Sequence, residues 1–389
     1  MDANKEEFDK ISRTIELPLS EGGMWKWSLL DPSQLLVSLV SNSPALQQLY
    51  ADAWRRSPPS PQRPWSLVVA FDEFVPGNKL QTDQTRKTMV LSFSFLQLGQ
   101  AALSFGSCWT TAICVRSNKI KEASVVQARR AFVTPTSCSG RLRRVIALLA
   151  LHPSTPQRLI RLRLRYSSNQ FYSALALPTS TIHRRRFQLR VSCTQQACID
   201  QVDGGWSSML RIVLDMLLLG PCGLQVAGIP LPIGGQHQLL FARLTNLLSD
   251  GDGLRMALDW KGASGLKPCF KHWNVFKLRS GLAHRKPGFV EIDCSNVASF
   301  RSWTAEHLYQ VFDSVAVARA ACLAGTMTKV MYEDLAMSTG LNANPRGLLS
   351  QSPLRKSVRA LLQRVLDGVS QSFAWGGARP REAWNVIVD

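Results

Sequence analysis

The chain has 389 residues, 45% of them hydrophobic, with 46 Lys and Arg against 27 Asp and Glu, a net charge of +19 and a pI near 10.0. That length holds two or three domains, or one domain with insertions, and the apolar share fills a sizeable core. No stretch has the length and apolarity of a membrane span: the nearest, MLRIVLDMLLLG (209–220), is short and carries Arg211 and Asp215. The charged start MDANKEEFDK lacks the apolar centre of a signal peptide, so an intracellular protein is expected. The nine cysteines (108, 114, 138, 193, 198, 222, 269, 294 and 322) form no even framework and suit a reducing compartment. The positive balance points to polyanion partners, nucleic acid first.

In chain order, residues 1–64 read as an N-terminal helical region, with helices over Leu35–Val40 and Ala45–Trp54 and a proline-rich break, RRSPPSPQRP, at 55–64. Three strand-like runs follow: Trp65–Phe71, Thr88–Phe95 and Trp109–Val115. Residues 123–199 then hold thirteen arginines, no lysine and no acid, leaving +6 for the rest of the chain. This tract reads as an insertion of separate compositional origin that adds irregular helix at most, and its affinity for phosphates is non-specific. Beyond it, Trp206, Leu210, Val213, Leu214 and Leu217 recur at helical spacing and predict a helix over 206–218, ended by Gly220-Pro221. Gly234-Gly235 predicts a hairpin turn, 239–248 a strand ending on acids, and GLRMALDW (253–260) a short helix starting just behind Asp252. Residues 297–365 carry helical patterns such as AEHLYQVFDSVAVARAACLAG. The order strand, strand, strand, helix, strand, helix suits an α/β mixed sheet of the ribonuclease H type.

Two apolar strands end on acids. FDEF brings Asp72 to the end of the first strand, and SDGDG brings Asp250 and Asp252 to the end of a later one. Hard oxygen ligands at neighbouring strand ends suit Mg2+ or Mn2+, which act on phosphoryl oxygens; the Asp-Gly-Asp-Gly run is equally the composition of a plain turn. Cys269 and His272 form a C-x-x-H pair, and with His284 and Cys294 they give four zinc-competent side chains in 26 residues. The other reading of that set is a buried thiol and a histidine capping a turn. Trp273, beside this pair and several lysines, is the one tryptophan placed to stack on a base. No phosphate loop, dinucleotide fingerprint, H-E-x-x-H or G-x-S-x-G motif is present in the sequence.

FDEFVPGNKL with RKTMVLSFSFLQLG, then GGWSSMLRIVLDMLLLGPCGL, then LLSDGDGLRMALDWKGASGLKPCFKHWNVF resemble a multicopy group of transposon-derived open reading frames found in large protist genomes. The likeness continues through AHRKPGFVEIDCSN (283–296) and YEDLAMSTGLNANPRGLLSQSPLR (332–355), covering roughly 20–120 and 203–360 and leaving out the arginine-rich tract. The group is distantly similar to DDE/D transposases of the CACTA and related superfamilies. That similarity implies a ribonuclease H-like fold, three metal-binding carboxylates and metal-dependent DNA cleavage or strand transfer. Asp72 matches the first carboxylate, and Asp250, eleven residues before Lys261, the second. Glu382, on a C-terminal stretch (366–389) that departs from the group's pattern, is the nominal third, with Glu333 as second choice. Cys269 and His272 match the C-x-x-H pair, which braces the active-site loop or holds zinc.

The expected organisation is therefore an N-terminal region (1–64), a first core part (65–122), the basic insertion (123–202), a second core part with the C-x-x-H motif (203–296) and a helical C-terminal region (297–389). DNA is the expected partner, met by Lys79, Lys87, Lys261, Lys267 and Lys271, with self-association as a second expectation and the nucleus as the location. A different class of function competes: a non-catalytic nucleic-acid-binding remnant of a mobile element, favoured by the weak third acid.

Overall fold

The computed structural model describes residues 10–20, 22–74, 88–116, 202–277, 290–291 and 298–368. The N-terminal region, read as helical, also holds a hairpin: β1 (Ser12–Pro18) pairs antiparallel with β2 (Met24–Leu30). Alternation explains it, since Leu17, Trp27 and Leu29 face the core while Glu16, Lys26 and Ser28 stay outside. Two helices follow at the predicted places. In α1 (Pro32–Ser41) the Asp31 carboxylate accepts from the Ser33 and Gln34 amides at 3.0 and 3.2 Å, and in α2 (Pro44–Arg56) Ser43 caps Leu46. Each cap is followed by proline at the first helical position, where its fixed φ fits and its missing N–H costs nothing.

The centre is a four-stranded mixed sheet built from β3 (Trp65–Phe74), β4 (Thr88–Phe95), β5 (Thr110–Arg116) and a later strand described below. β3, β4 and β5 run antiparallel in sequence. Both faces of β3 are covered, which is why it reads as an unbroken apolar run. Leu67, Val69 and Phe71 enter the main core, whereas Val68 and Ala70 meet Leu103, Trp109 and Leu248 on the opposite face.

Helix α3 (Gly205–Leu219) buries Trp206, Leu210, Val213, Leu214 and Leu217, the stripe its spacing predicts. The hairpin of β6 (Ile229–Ile233) and β7 (Gln236–Leu240) turns on Gly234 and Gly235, with φ of +61° and +76°. A two-residue turn with both central residues left-handed matches the twist of its strands and calls for glycine. The single strand expected over 239–248 is two: the chain breaks at Phe241, and β8 (Ala242–Leu248) leaves the hairpin to pair parallel with β3. The short helix α4 (Gly251–Ala257) starts on Asp250, two residues before the expected place.

A parallel contact of β9 (Val275–Phe276) with β10 (Val290–Glu291) precedes three helices: α5 (Ala305–Leu323), α6 (Lys329–Thr339) and α7 (Arg355–Gly368). The described part of the C-terminal region, 298–368, carries these three helices where helical patterns were expected. Helix α7 covers β8, and Arg364 donates to the Leu244 carbonyl at 2.8 Å. The fold class is thus mixed α/β. The arginine-rich tract lies outside the described residues.

Candidate functional site

The parallel pairing of β3 and β8 fixes where the two candidate acids stand. Ala70 is opposite Leu248, and two residues further along each strand come Asp72 and Asp250. Asp250 lies two residues past the end of β8 with an extended backbone, φ −71° and ψ 173°, whereas β3 runs on past the expected end at Phe71 to Phe74, so Asp72 lies within it, opposite Val90 of β4. Asp72 is half-buried, with its Oδ1 shut off from solvent. Phe71 points to the other face, where its ring lies 6.0 Å from that of Trp206 on α3.

Asp250 also has a local task. Its Oδ1 accepts from the Gly253 amide at 2.7 Å, capping α4. The turn-forming role and the metal role therefore fall on one carboxylate, whose Oδ2 and second Oδ1 lone pair remain for another partner. Gly253 keeps this corner tight. A Cβ built on it would lie 1.9 Å from Ser249 Oγ, 3.0 Å from Phe71 Cε2 and 3.2 Å from Asp250 Oδ1. The Phe71 ring and the Asp250 carboxylate thus flank the same point.

The C-x-x-H pair is brought together, with Cys269 Sγ 3.2 Å from His272 Nδ1. Burial pushes the Cys269 thiol up; burial and the neighbouring Lys271 bring His272 down to about 4. The metal-free pair is thus a neutral thiol beside a neutral imidazole, which rests on Phe300 with centroids 5.3 Å apart. His284 and Cys294 lie outside the described residues, as do Glu382, Lys79 and Lys87 and the side chain of Asp252. Among the described residues no three His, Cys, Asp or Glu side chains are grouped to share one ion.

The remaining candidates have structural neighbours. Glu333 pairs with Lys329 at 3.7 Å on exposed α6 and helps keep Lys261 charged against the burial that lowers its pKa. Lys267 Nζ sits over the rings of Trp303 and Phe276 at 5.0 and 5.6 Å, a cation–π site. Burial lowers the Lys271 pKa, and the nearby Cys269 opposes that. Trp273 is packed on the core, edge-on to His307 at 6.1 Å.

One acid was missed by the sequence reading. Asp259, just after α4, has its Oδ2 3.0 Å from Oγ of the fully buried Ser207, within hydrogen-bond distance, and burial pushes its carboxyl well above the usual range. An acid inside the apolar run MALDW was the available signal. The chain matches no family model, no curated protein and no solved structure. Among the described residues no helix is long and apolar enough to cross a membrane.

Proposed function

We propose that this chain is a transposase-derived protein of ribonuclease H type whose Asp72 and Asp250 hold Mg2+ or Mn2+ for hydrolysis or strand transfer of DNA phosphodiesters. The observation that carries this reading is the parallel pairing of β3 with β8, in which Ala70 and Leu248, each two residues before one of the acids, stand opposite each other. The order of the central elements agrees with it: three antiparallel strands, a helix and, after the β6–β7 hairpin, a parallel strand beside the first. The donor set fits a hard cation, because both side chains are carboxylates and Asp250 keeps oxygen lone pairs beyond its helix cap. Bound there, such ions lower the pKa of an attacking water and stabilise a leaving 3′ oxygen. The chain's own part is placement: β3 and β8 fix the two carboxylates, and the α4 cap fixes the orientation of one. Cys269 and His272 brace the loop beyond α4 or take zinc, with His284 and Cys294 to complete four ligands.

Purified protein with Mg2+ or Mn2+ is expected to nick supercoiled DNA, and Asp72→Ala and Asp72→Asn are expected to lose the activity while remaining folded. Nicking that persists in folded Asp72→Asn refutes the assignment. A binding-only remnant is the second reading, favoured by the helix-cap role that already occupies Asp250. It predicts DNA binding that needs no divalent cation, falls steeply with salt and survives Asp72→Asn.

A further inference from the structure

We propose that Asp259 is held in the fold as a neutral carboxylic acid, and that its proton ties the end of α4 to the start of α3 and to the loop 341–348. The argument is an accounting of one hydroxyl hydrogen. Ser207 Oγ lies 2.7 Å from the Ala257 carbonyl, 2.8 Å from the Leu348 amide and 3.0 Å from Asp259 Oδ2. A serine hydroxyl donates once and accepts twice. The Ala257 carbonyl can only accept, so it takes the hydrogen; the Leu348 N–H fills one lone pair. Asp259 Oδ2 can then complete the set only by donating, which requires a protonated carboxyl. An ionised Asp259 would set two acceptor-only oxygens against a single hydrogen.

The surroundings leave little room for a remedy. Asp259 as a whole is half-buried, but a Cβ on Gly347 would lie 2.1 Å from its Oδ2 and 2.8 Å from Ser207 Oγ, so that side is closed to water. Its backbone is committed too: φ is +53°, the one left-handed non-glycine among the described residues, and its carbonyl accepts from Asn342 at 2.6 Å. The Asn344 side chain also hydrogen-bonds the carboxyl. The charged or titratable groups acting on it are Arg319 from α5 and Tyr332 from α6. Arg319 favours the anion through space, yet its guanidinium hydrogen-bonds Asp203 and the Ala343 carbonyl, both at 3.3 Å. Burial outweighs these contributions and raises the carboxyl pKa.

The sign follows from linkage. The folded carboxyl keeps a proton that the unfolded one, with a pKa of about 3.9, releases. The folding constant therefore falls with rising pH, by up to about tenfold per pH unit, until the folded pKa is passed. Asp259→Asn tests this, because asparagine accepts the left-handed backbone and its amide donates to Ser207 without titrating. Infrared spectra near neutral pH are expected to show a protonated-carboxyl band in the native protein that Asp259→Asn removes. Urea titrations from about pH 5 to 8 are expected to show the native protein losing a step of stability that Asp259→Asn lacks. Ser207→Ala is expected to cost more at the acid end than at the alkaline end. Absence of the band, or identical pH slopes in native protein and Asp259→Asn, overturns the proposal.

Discussion

Substituting Gly253 tests the corner formed by Ser249, Asp250 and the Phe71 ring. Its φ is outside the left-handed region, so the cost of a side chain there is steric rather than conformational. In Gly253→Ala the new methyl meets Ser249 Oγ at 1.9 Å, and a χ1 change at Ser249 relieves that contact. It still meets Phe71 Cε2 at 3.0 Å and Asp250 Oδ1 at 3.2 Å. Phe71 has little freedom to retreat, being 1% exposed and packed against Trp206. Overpacking of this kind costs about 1–3 kcal/mol, and replacing glycine in a helix returns about 1 kcal/mol. A net loss of about 1 kcal/mol is expected for alanine and about 3 kcal/mol for valine, read from urea midpoints at unchanged slope. Ser249 Oγ is buried without a hydrogen-bond partner, so Ser249→Ala alone is expected to be neutral or stabilising, and the double variant to recover part of the loss. A Gly253→Ala protein more stable by the full helix-propensity gain would refute the packing argument.

Two further substitutions probe neighbouring parts. Asp250→Ala removes the cap of α4 and is expected to lose about 1 kcal/mol, whereas Asp250→Asn keeps the cap and most stability while abolishing metal-dependent nicking; equal stability of the two, by thermal unfolding, would remove the capping role. Trp65→Ala empties the aromatic cluster with Tyr50, Trp54 and Phe95 and orphans the Ser57 carbonyl, 2.7 Å from the indole nitrogen, so a loss of about 3–5 kcal/mol is expected in chemical denaturation.

Much of the sheet was legible because its signals are local. β3 and β4 announce themselves by apolar runs, the first of them after a proline-rich break, and α3 by its apolar stripe. The hairpin of β1 and β2 was legible in principle, from the alternation of Trp25, Trp27 and Leu29 after Gly22-Gly23, but its short half-polar strands lack a continuous apolar core. The break at Phe241 was not legible. Leu239 and Leu240 belong to the hairpin with β6 and Ala242 onward to β3, and only pairing partners distinguish those two halves of one apolar stretch. The parallel placement of β3 beside β8, which precedes Asp250, depends on the same pairing, so spacing along the chain could not supply it. Asp259 was missed because its significance lies in Ser207 and Gly347, distant in sequence and adjacent only in space.

The parallel pairing of β3 with β8 also bears on how the chain reaches its folded form. Thr245 donates to the Leu67 carbonyl across 178 positions, so this contact forms only after a very large loop has closed. The tract of 77 residues at 123–199 roughly doubles that loop, and doubling a flexible loop adds only about 0.6 kcal/mol of closure entropy. A long interruption between β5 and α3 is therefore cheap at equilibrium. Its burden is kinetic: during synthesis the β3–β4–β5 meander must wait, one edge unsheltered, for its fourth strand to leave the ribosome.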